Sequence, residues 1–240
     1  MKTETNLFTW GKDFPAVCGQ TSISFLKSCA GFTEAKEGDL KAATAVVTTC
    51  VKAKHLSELK KRYPNAELLP VMTENKLPIA LAQNIGLKVC KTVSTHRSCQ
   101  RKNMRAMERL LYQPTFKGNV NHNTSYILVD DILTQGGTVS ALRKYVIAGG
   151  GNVVAVAVLA HAVGSKTLPP KQQTLRRLQA KFGSQPLKAV LQQYCIANSI
   201  DELTNQQAEY LLRFNGLSNI VEKICHTIID PLATPQNKQQ

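Results

Sequence analysis

The chain has 240 residues, 43% of them hydrophobic, which fits one sizeable packed domain with or without an appendage and argues against disorder. A formal net charge of +14 points to a polyanionic partner, either a phosphorylated metabolite or nucleic acid met by a basic surface. No apolar run is long enough to cross a membrane, and the N-terminal MKTETNLFTWGKDF lacks the apolar stretch of a signal peptide, so a cytoplasmic protein without a membrane partner is expected.

The first 40 residues carry Phe8, Trp10 and Phe14, which either stack on a ligand's base as part of a hood or anchor the core. AKHLSELKKRY (53–63) predicts a helix stopped by Pro64 and Asn65. ELLPVM (67–72) is a short apolar run and predicts a buried strand. LPIALAQNIG follows as a helix, with Pro78 in its first turn and Gly86 at its end. LKVCKTV (87–93) is a further strand candidate, and QRKNMRAMERLLYQ (100–113) sets Met104, Met107, Leu110 and Leu111 at helical spacing. A strand then runs into Asp130 and Asp131, and a helix is expected from about 138 to 148. After Gly149, Gly150 and Gly151 comes NVVAVAVLA (152–160), apolar on both faces as a strand buried in a parallel sheet would be.

Strand–helix–strand repetition of this kind predicts an α/β fold with a mostly parallel sheet, whose ligands bind at the carboxyl ends of the strands. After residue 164 the pattern turns helical. Leu175, Leu178 and Phe182 are helix-spaced, as are Leu187, Val190, Leu191, Tyr194 and Cys195. Thr204 with Gln207 forms a capping box ahead of Ala208, Leu211 and Leu212, and a last apolar stripe joins Leu217, Ile220, Val221, Ile224, Cys225 and Ile228. The expected organisation is an N-terminal segment (1–40), a core (41–164), a helical C-terminal region (165–230) and a flexible polar tail (231–240). Seven cysteines form no CxxC pair, so reduced thiols are expected rather than a disulfide framework or a zinc site.

The chemistry concentrates in YILVDDILTQGGT (126–138). Two adjacent carboxylates at the end of a buried strand are costly unless a polar or cationic group meets them. Gly136 and Gly137 allow close backbone approach, and the helix that follows directs free N–H groups and its positive end at the loop, where Thr134 and Thr138 add hydroxyls. The loop lacks the GKS or GKT of a nucleotide-hydrolysing P-loop. Phosphate at the loop and a vicinal diol at the acids together suit a ribose 5-phosphate. Upstream, residues 76–122 hold Lys76, Lys88, Lys91, Arg97, Arg101, Lys102, Arg105, Arg109 and Lys117 against Glu108 alone, a field that attracts polyanions.

YILVDDILTQGGT resembles the signature with which type I phosphoribosyltransferases bind 5-phosphoribosyl 1-diphosphate (PRPP): an apolar strand, two acids, two apolar residues, then Thr-x-Gly-x-Thr. The resemblance covers about residues 40–164 and implies the family's fold, a central, mostly parallel sheet flanked by helices, here with a C-terminal helical appendage. It implies Mg²⁺-dependent transfer of phosphoribose from PRPP to a nitrogenous acceptor, a nucleobase above all, with release of diphosphate. Asp130 and Asp131 would then be the catalytic acids, and Thr134, Gln135, Gly136, Gly137 and Thr138 would hold the 5′-phosphate. The family's diphosphate loop falls on TENKLP, with Thr73, Glu74, Asn75 and Lys76. Its mobile loop falls on STHRSCQRKNMRAMERLLYQPTFKGN, where Arg97, Arg101 and Lys102 would reach the diphosphate. Mg²⁺ would arrive on PRPP, with no direct protein ligand and with Asp130 or Asp131 touching it through water. The acceptor would lie near His161, which is otherwise an ordinary loop residue.

The spacing of Gln100 and Phe116 in the mobile loop is similar to that of ComF-like members. The alternative it leaves open is a non-catalytic PRPP-sensing regulator, or a ComF-like protein associated with nucleic acid. A homodimer is also left open.

Overall fold

The computed structural model describes residues 8–97 and 104–229. Its centre is a four-stranded parallel sheet of β1 (Cys18–Thr21), β2 (Glu67–Pro70), β5 (Ser125–Leu133) and β6 (Asn152–His161), in the order β1-β6-β5-β2. The register runs Leu69↔Leu128 between β2 and β5, Asp130↔Val158 between β5 and β6, and Gly19↔Val158 between β1 and β6. β5 and β6 are central, so both of their faces must be covered, and their sequences are apolar at successive positions rather than alternately. Tyr126, Ile127, Leu128 and Val129 are all fully buried.

One face packs on α1 (Ile23–Ser28), α2 (Phe32–Lys36), α3 (Leu40–Cys50), α4 (Ala53–Arg62) and α5 (Leu77–Ile85), through a cluster that joins Leu68, Ile127, Val129, Ala157 and Leu159 to Leu26, Val46, Leu56 and Leu81. The other face meets α7 (Gly137–Ala148), whose Val139, Leu142 and Val146 pack on Leu69, Leu128, Val156 and Val158 together with Trp10. The sheet therefore takes its edge strand β1 from the segment expected as a hood.

Two expected elements differ. LKVCKTV does not form a full strand: Val89 makes a single parallel bridge to Leu68, held by Leu68 N–H to the Lys88 carbonyl at 2.7 Å and Cys90 N–H to the Leu68 carbonyl at 2.8 Å. Val93 then opens β3 (Val93–Arg97), which pairs antiparallel with β4 (Thr115–Gly118) in a separate hairpin. The helix expected over 100–113 is the shorter α6 (Ala106–Leu111). The Glu108 carboxylate accepts from the Arg105 N–H and caps its start, and Pro114 bars extension toward β4.

The C-terminal region is helical, as expected: α8 (Gln172–Phe182), α9 (Ser184–Gln193), α10 (Asn205–Leu211) and α11 (Leu217–Ile229), with a 3₁₀ turn at Ile200–Glu202. Its apolar cluster takes in Met107 and Leu110 of α6. The Thr204–Gln207 capping box is present at the start of α10. Lys144 of α7 pairs at 2.6 Å with Glu202, whose side chain is fully buried. Among the described residues no helix is long and apolar enough to cross a membrane. Cys18, Cys29, Cys50, Cys90, Cys195 and Cys225 are free thiols, and burial pushes that of Cys50 up to about 12.

Candidate functional site

Asp130 and Asp131 lie within β5, which continues to Leu133, and both are buried. Asp131 is met by a cation: Lys36 Nζ, from the end of α2, lies 2.7 Å from its Oδ2. Asp130 Oδ1 accepts the Asp131 backbone N–H at 2.9 Å. Burial, and then the charge of Asp131, push the Asp130 carboxyl far above the ordinary carboxylate range, to about 8. Burial beside a like charge thus favours the protonated form of Asp130, which could donate to a ligand oxygen, while Asp131 has Lys36 as its counter-charge.

The loop after β5 leads directly into α7, with Gly136 at its N-cap in the left-handed conformation at φ 78°. The first N–H groups of a helix lack intrahelical partners, so those of α7 face the loop. The two glycines are needed for different reasons. At Gly136 the positive φ favours glycine, and a Cβ would stand 3.0 Å from Leu168 and Thr204 side-chain atoms. At Gly137 a Cβ would stand 2.5 Å from Gln113 Oε1. Gln113 is held in place because its Nε2 donates to the carbonyls of Arg109 and Leu110.

The loop is thus lined by groups that the sequence did not single out for it. An Arg109 guanidinium N–H donates to Thr134 Oγ1 at 3.1 Å, and Thr204 Oγ1 donates to the Gln135 carbonyl. Gln135 Oε1 is buried without a hydrogen-bond partner. Arg109 thus brings a cation to this loop, and helical spacing alone could not separate it from the other basic residues of that segment.

Thr73, Glu74, Asn75 and Lys76 lie between β2 and α5. Asn75 Oδ1 accepts the Leu77 N–H at 3.1 Å, which turns the chain into α5, and the Lys76 N–H donates to the Ala35 carbonyl at 2.9 Å. This loop therefore touches the end of α2, the helix that carries Lys36. Lys36 is a further site residue that sequence reasoning missed. It is 95 residues from Asp131, and no local pattern distinguishes it from other lysines.

The expected diphosphate cations of the mobile loop are placed only in part. Arg97 ends β3, where its backbone pairs with Thr115, while Arg101 and Lys102 lie outside the described residues. His161 ends β6, and its Nδ1 is 3.1 Å from the Ala162 carbonyl. Its ring lies against Gly19, where a Cβ would be 2.4 Å from Cδ2. Trp10 is a core anchor, not a base platform. The Arg143 guanidinium lies 4.4 Å from its ring centroid, and Phe14 packs on it edge-on at 5.0 Å. Arg143 also donates to the carbonyls of Phe8 and Thr9, which ties the N-terminal segment to α7.

Among the described residues no group of three or more His, Cys, Asp or Glu side chains could hold a metal ion. The oxygen atoms of Asp130 and Asp131 suit a hard cation, but with Asp131 already paired with Lys36 these two side chains do not by themselves make up the roughly six oxygen ligands that such an ion takes.

No known family model matches the chain. It is 30% identical over 226 residues to protein TraN of Escherichia coli, across 90% of this chain and 50% of TraN. It is 28% identical over 149 residues to an uncharacterised protein of Haemophilus influenzae, across 58% of this chain and 33% of that protein. The chain thus spans half or less of the curated relatives it matches, and neither name supports the ComF-like similarity expected from the mobile loop. Among solved structures it is similar to a purine phosphoribosyltransferase from Pyrococcus horikoshii, with TM-score 0.31 and 17% identity over 44% of this chain and 67% of that one. It is also similar to an adenine phosphoribosyltransferase, with TM-score 0.35 and 14% identity over 52% and 72% of the two chains. A third is UMP synthase of Leishmania donovani, with TM-score 0.36 and 14% identity over 73% and 35%. The α/β architecture stands on the strand order and register described above.

Proposed function

We propose that this chain binds PRPP and transfers its phosphoribosyl group to a nitrogenous acceptor, a nucleobase-like compound, with release of diphosphate. The observation that carries this reading is the continuity of the site. A buried acid pair, a glycine loop and the start of a long helix follow one another along β5 and α7, in the order that one ribose 5-phosphate would span. The loop and the helix N–H groups would take the 5′-phosphate, with Thr134 and Thr138 adding hydroxyls. Asp131 would accept from a ribose hydroxyl and the protonated Asp130 would donate to one. Mg²⁺ bound to the diphosphate would neutralise charge on the leaving group. The protein's own part is to hold the sugar while the C1–O bond to diphosphate breaks and a C1–N bond forms. Positioning and fixed charge supply that, without a covalent nucleophile.

The test is calorimetry with PRPP and Mg²⁺ on the wild type and on Asp130→Asn/Asp131→Asn. The wild type should bind and the folded double variant should not. Unchanged affinity in the double variant would exclude the acid pair as the sugar site. A second reading, a PRPP-responsive regulator, is favoured by one observation: Thr204 of the C-terminal region bonds to the same loop, so a ligand seated there would compete with that contact. Diphosphate release in a screen of nucleobases supports the enzyme. PRPP-dependent change in nucleic-acid or partner affinity without diphosphate release supports the regulator.

A further inference from the structure

We infer that Lys36 is a substrate-contacting residue of this site, the cation that meets the diphosphate of PRPP and that covers Asp131 when the site is empty. The inference rests on the PRPP reading above. Two independent contacts place Lys36. Its ammonium is 2.7 Å from Asp131 Oδ2, with the lysine side chain 33% exposed and the aspartate 8%. Its backbone neighbour Ala35 accepts the Lys76 N–H at 2.9 Å, so α2 is fastened to the loop assigned to diphosphate by main chain rather than by a mobile side chain. Gly38, at φ 112°, turns the chain away just after α2, and a Cβ there would be 3.8 Å from Glu74 Cγ. Lys36 therefore stands between the sugar acids and the TENK loop. The bond to be broken, from C1 of the ribose to the diphosphate oxygen, must lie between those same two places.

The chemistry follows from this placement. When a ribose hydroxyl takes the Asp131 carboxylate, the ammonium loses its partner, and its flexible four-carbon stem lets it swing to the nearest anion. As the C1–O bond breaks, the electron pair leaves on the diphosphate oxygen, and a fixed positive charge lowers the cost of that step. The acceptor nitrogen forms the new bond to C1 and gives up its proton to solvent. In the free protein Lys36 gives a buried carboxylate its counter-charge.

The test compares PRPP with ribose 5-phosphate, which has the sugar and the 5′-phosphate but no diphosphate. Calorimetry in Mg²⁺ on the full chain should show that Lys36→Met weakens PRPP at least tenfold and changes ribose 5-phosphate less than threefold. Lys36→Arg should recover most of the PRPP affinity. Equal weakening of both ligands would make Lys36 only a support for Asp131 and overturn the inference, as would PRPP binding unchanged in Lys36→Met. A wild type that binds neither ligand would overturn the PRPP reading itself, a result distinct from these two. A second measurement needs no variant: acetylation of Lys36 by an N-hydroxysuccinimide ester, mapped by peptide mass spectrometry, should be slowed at least threefold by PRPP and not slowed by ribose 5-phosphate. Equal rates with and without bound PRPP would overturn the inference even if Lys36→Met fails to fold.

Discussion

Asp130 and Asp131 are neighbours in one strand, yet the fold treats them differently. Lys36 meets Asp131, whereas Asp130 has a main-chain N–H as its bonding partner and lies deep beside a like charge. Its folded-state pKa, raised to about 8 from 3.8, means that the native chain holds a proton which the unfolded chain releases. The sign follows: this group favours folding fully below the unfolded value, and that contribution is lost as pH rises toward the folded value. Asparagine keeps the shape and removes the titration. Relative to Asp130→Asn, the wild type should therefore lose stability between pH 4 and pH 8, with a slope no steeper than about 1.4 kcal/mol per pH unit. Urea titrations of both proteins across that range check this. A parallel pair of curves would mean that Asp130 is ionised in the folded state.

At the scale of elements, the β3–β4 hairpin stands apart from the main sheet, and Gly118 is a tight point in it. There φ is 114°, and a Cβ would be 1.7 Å from the Thr92 carbonyl oxygen, a main-chain atom that no rotamer change can move. Gly118→Ala should cost on the order of 3 kcal/mol, from the unfavourable backbone region and the displaced strand end. The loss should fall on the hairpin. Amide exchange of β3 and β4 should speed up while that of β5 and β6 stays slow, because the hairpin shares no ladder with the central sheet. Equal acceleration in all four strands would show that the hairpin and sheet open as one unit. The hairpin brackets the segment expected to reach the diphosphate, so its order bears on the site.

Across the whole molecule, the C-terminal helices are part of the same packed body as the sheet. They share a core with α6, and Lys144 of α7 meets the buried Glu202. Lys144→Met would strip that buried carboxylate of its lysine counter-charge and leave the bonds from Asn198 in place. A cost of about 2 kcal/mol is expected, below the full price of breaking a buried pair because Lys144 is itself partly exposed. Lys144→Met/Glu202→Gln should recover most of it. Urea midpoints measure both, and a single variant as stable as the wild type would show that apolar packing alone holds the C-terminal region. Thr204, next to this contact, both caps α10 and bonds to the phosphate-loop candidate, so docking of the helices and the state of the loop are linked.

Local pattern was enough to read β5 and β6, because strands buried on both faces must be apolar at every position, and enough to read α4, α5 and α7, whose stops and glycines lie within the chain itself. The same holds for the acid pair and the loop, since thirteen consecutive residues carry the strand, the carboxylates and the glycines together. The C-terminal capping box was legible for the same reason. What is decided by contacts between distant segments was not. LKVCKTV has strand composition, but it makes one bridge to Leu68 and then leaves, because Val93 pairs with Gly118. CGQT is short and unremarkable in sequence, and becomes a strand because β6 offers it an edge. The partner of Asp131 was open to any cation of a strongly basic chain. Tertiary structure alone selected Lys36, by fastening α2 to the Thr73–Lys76 loop and so bringing one ammonium to a carboxylate that burial had left in need of a counter-charge.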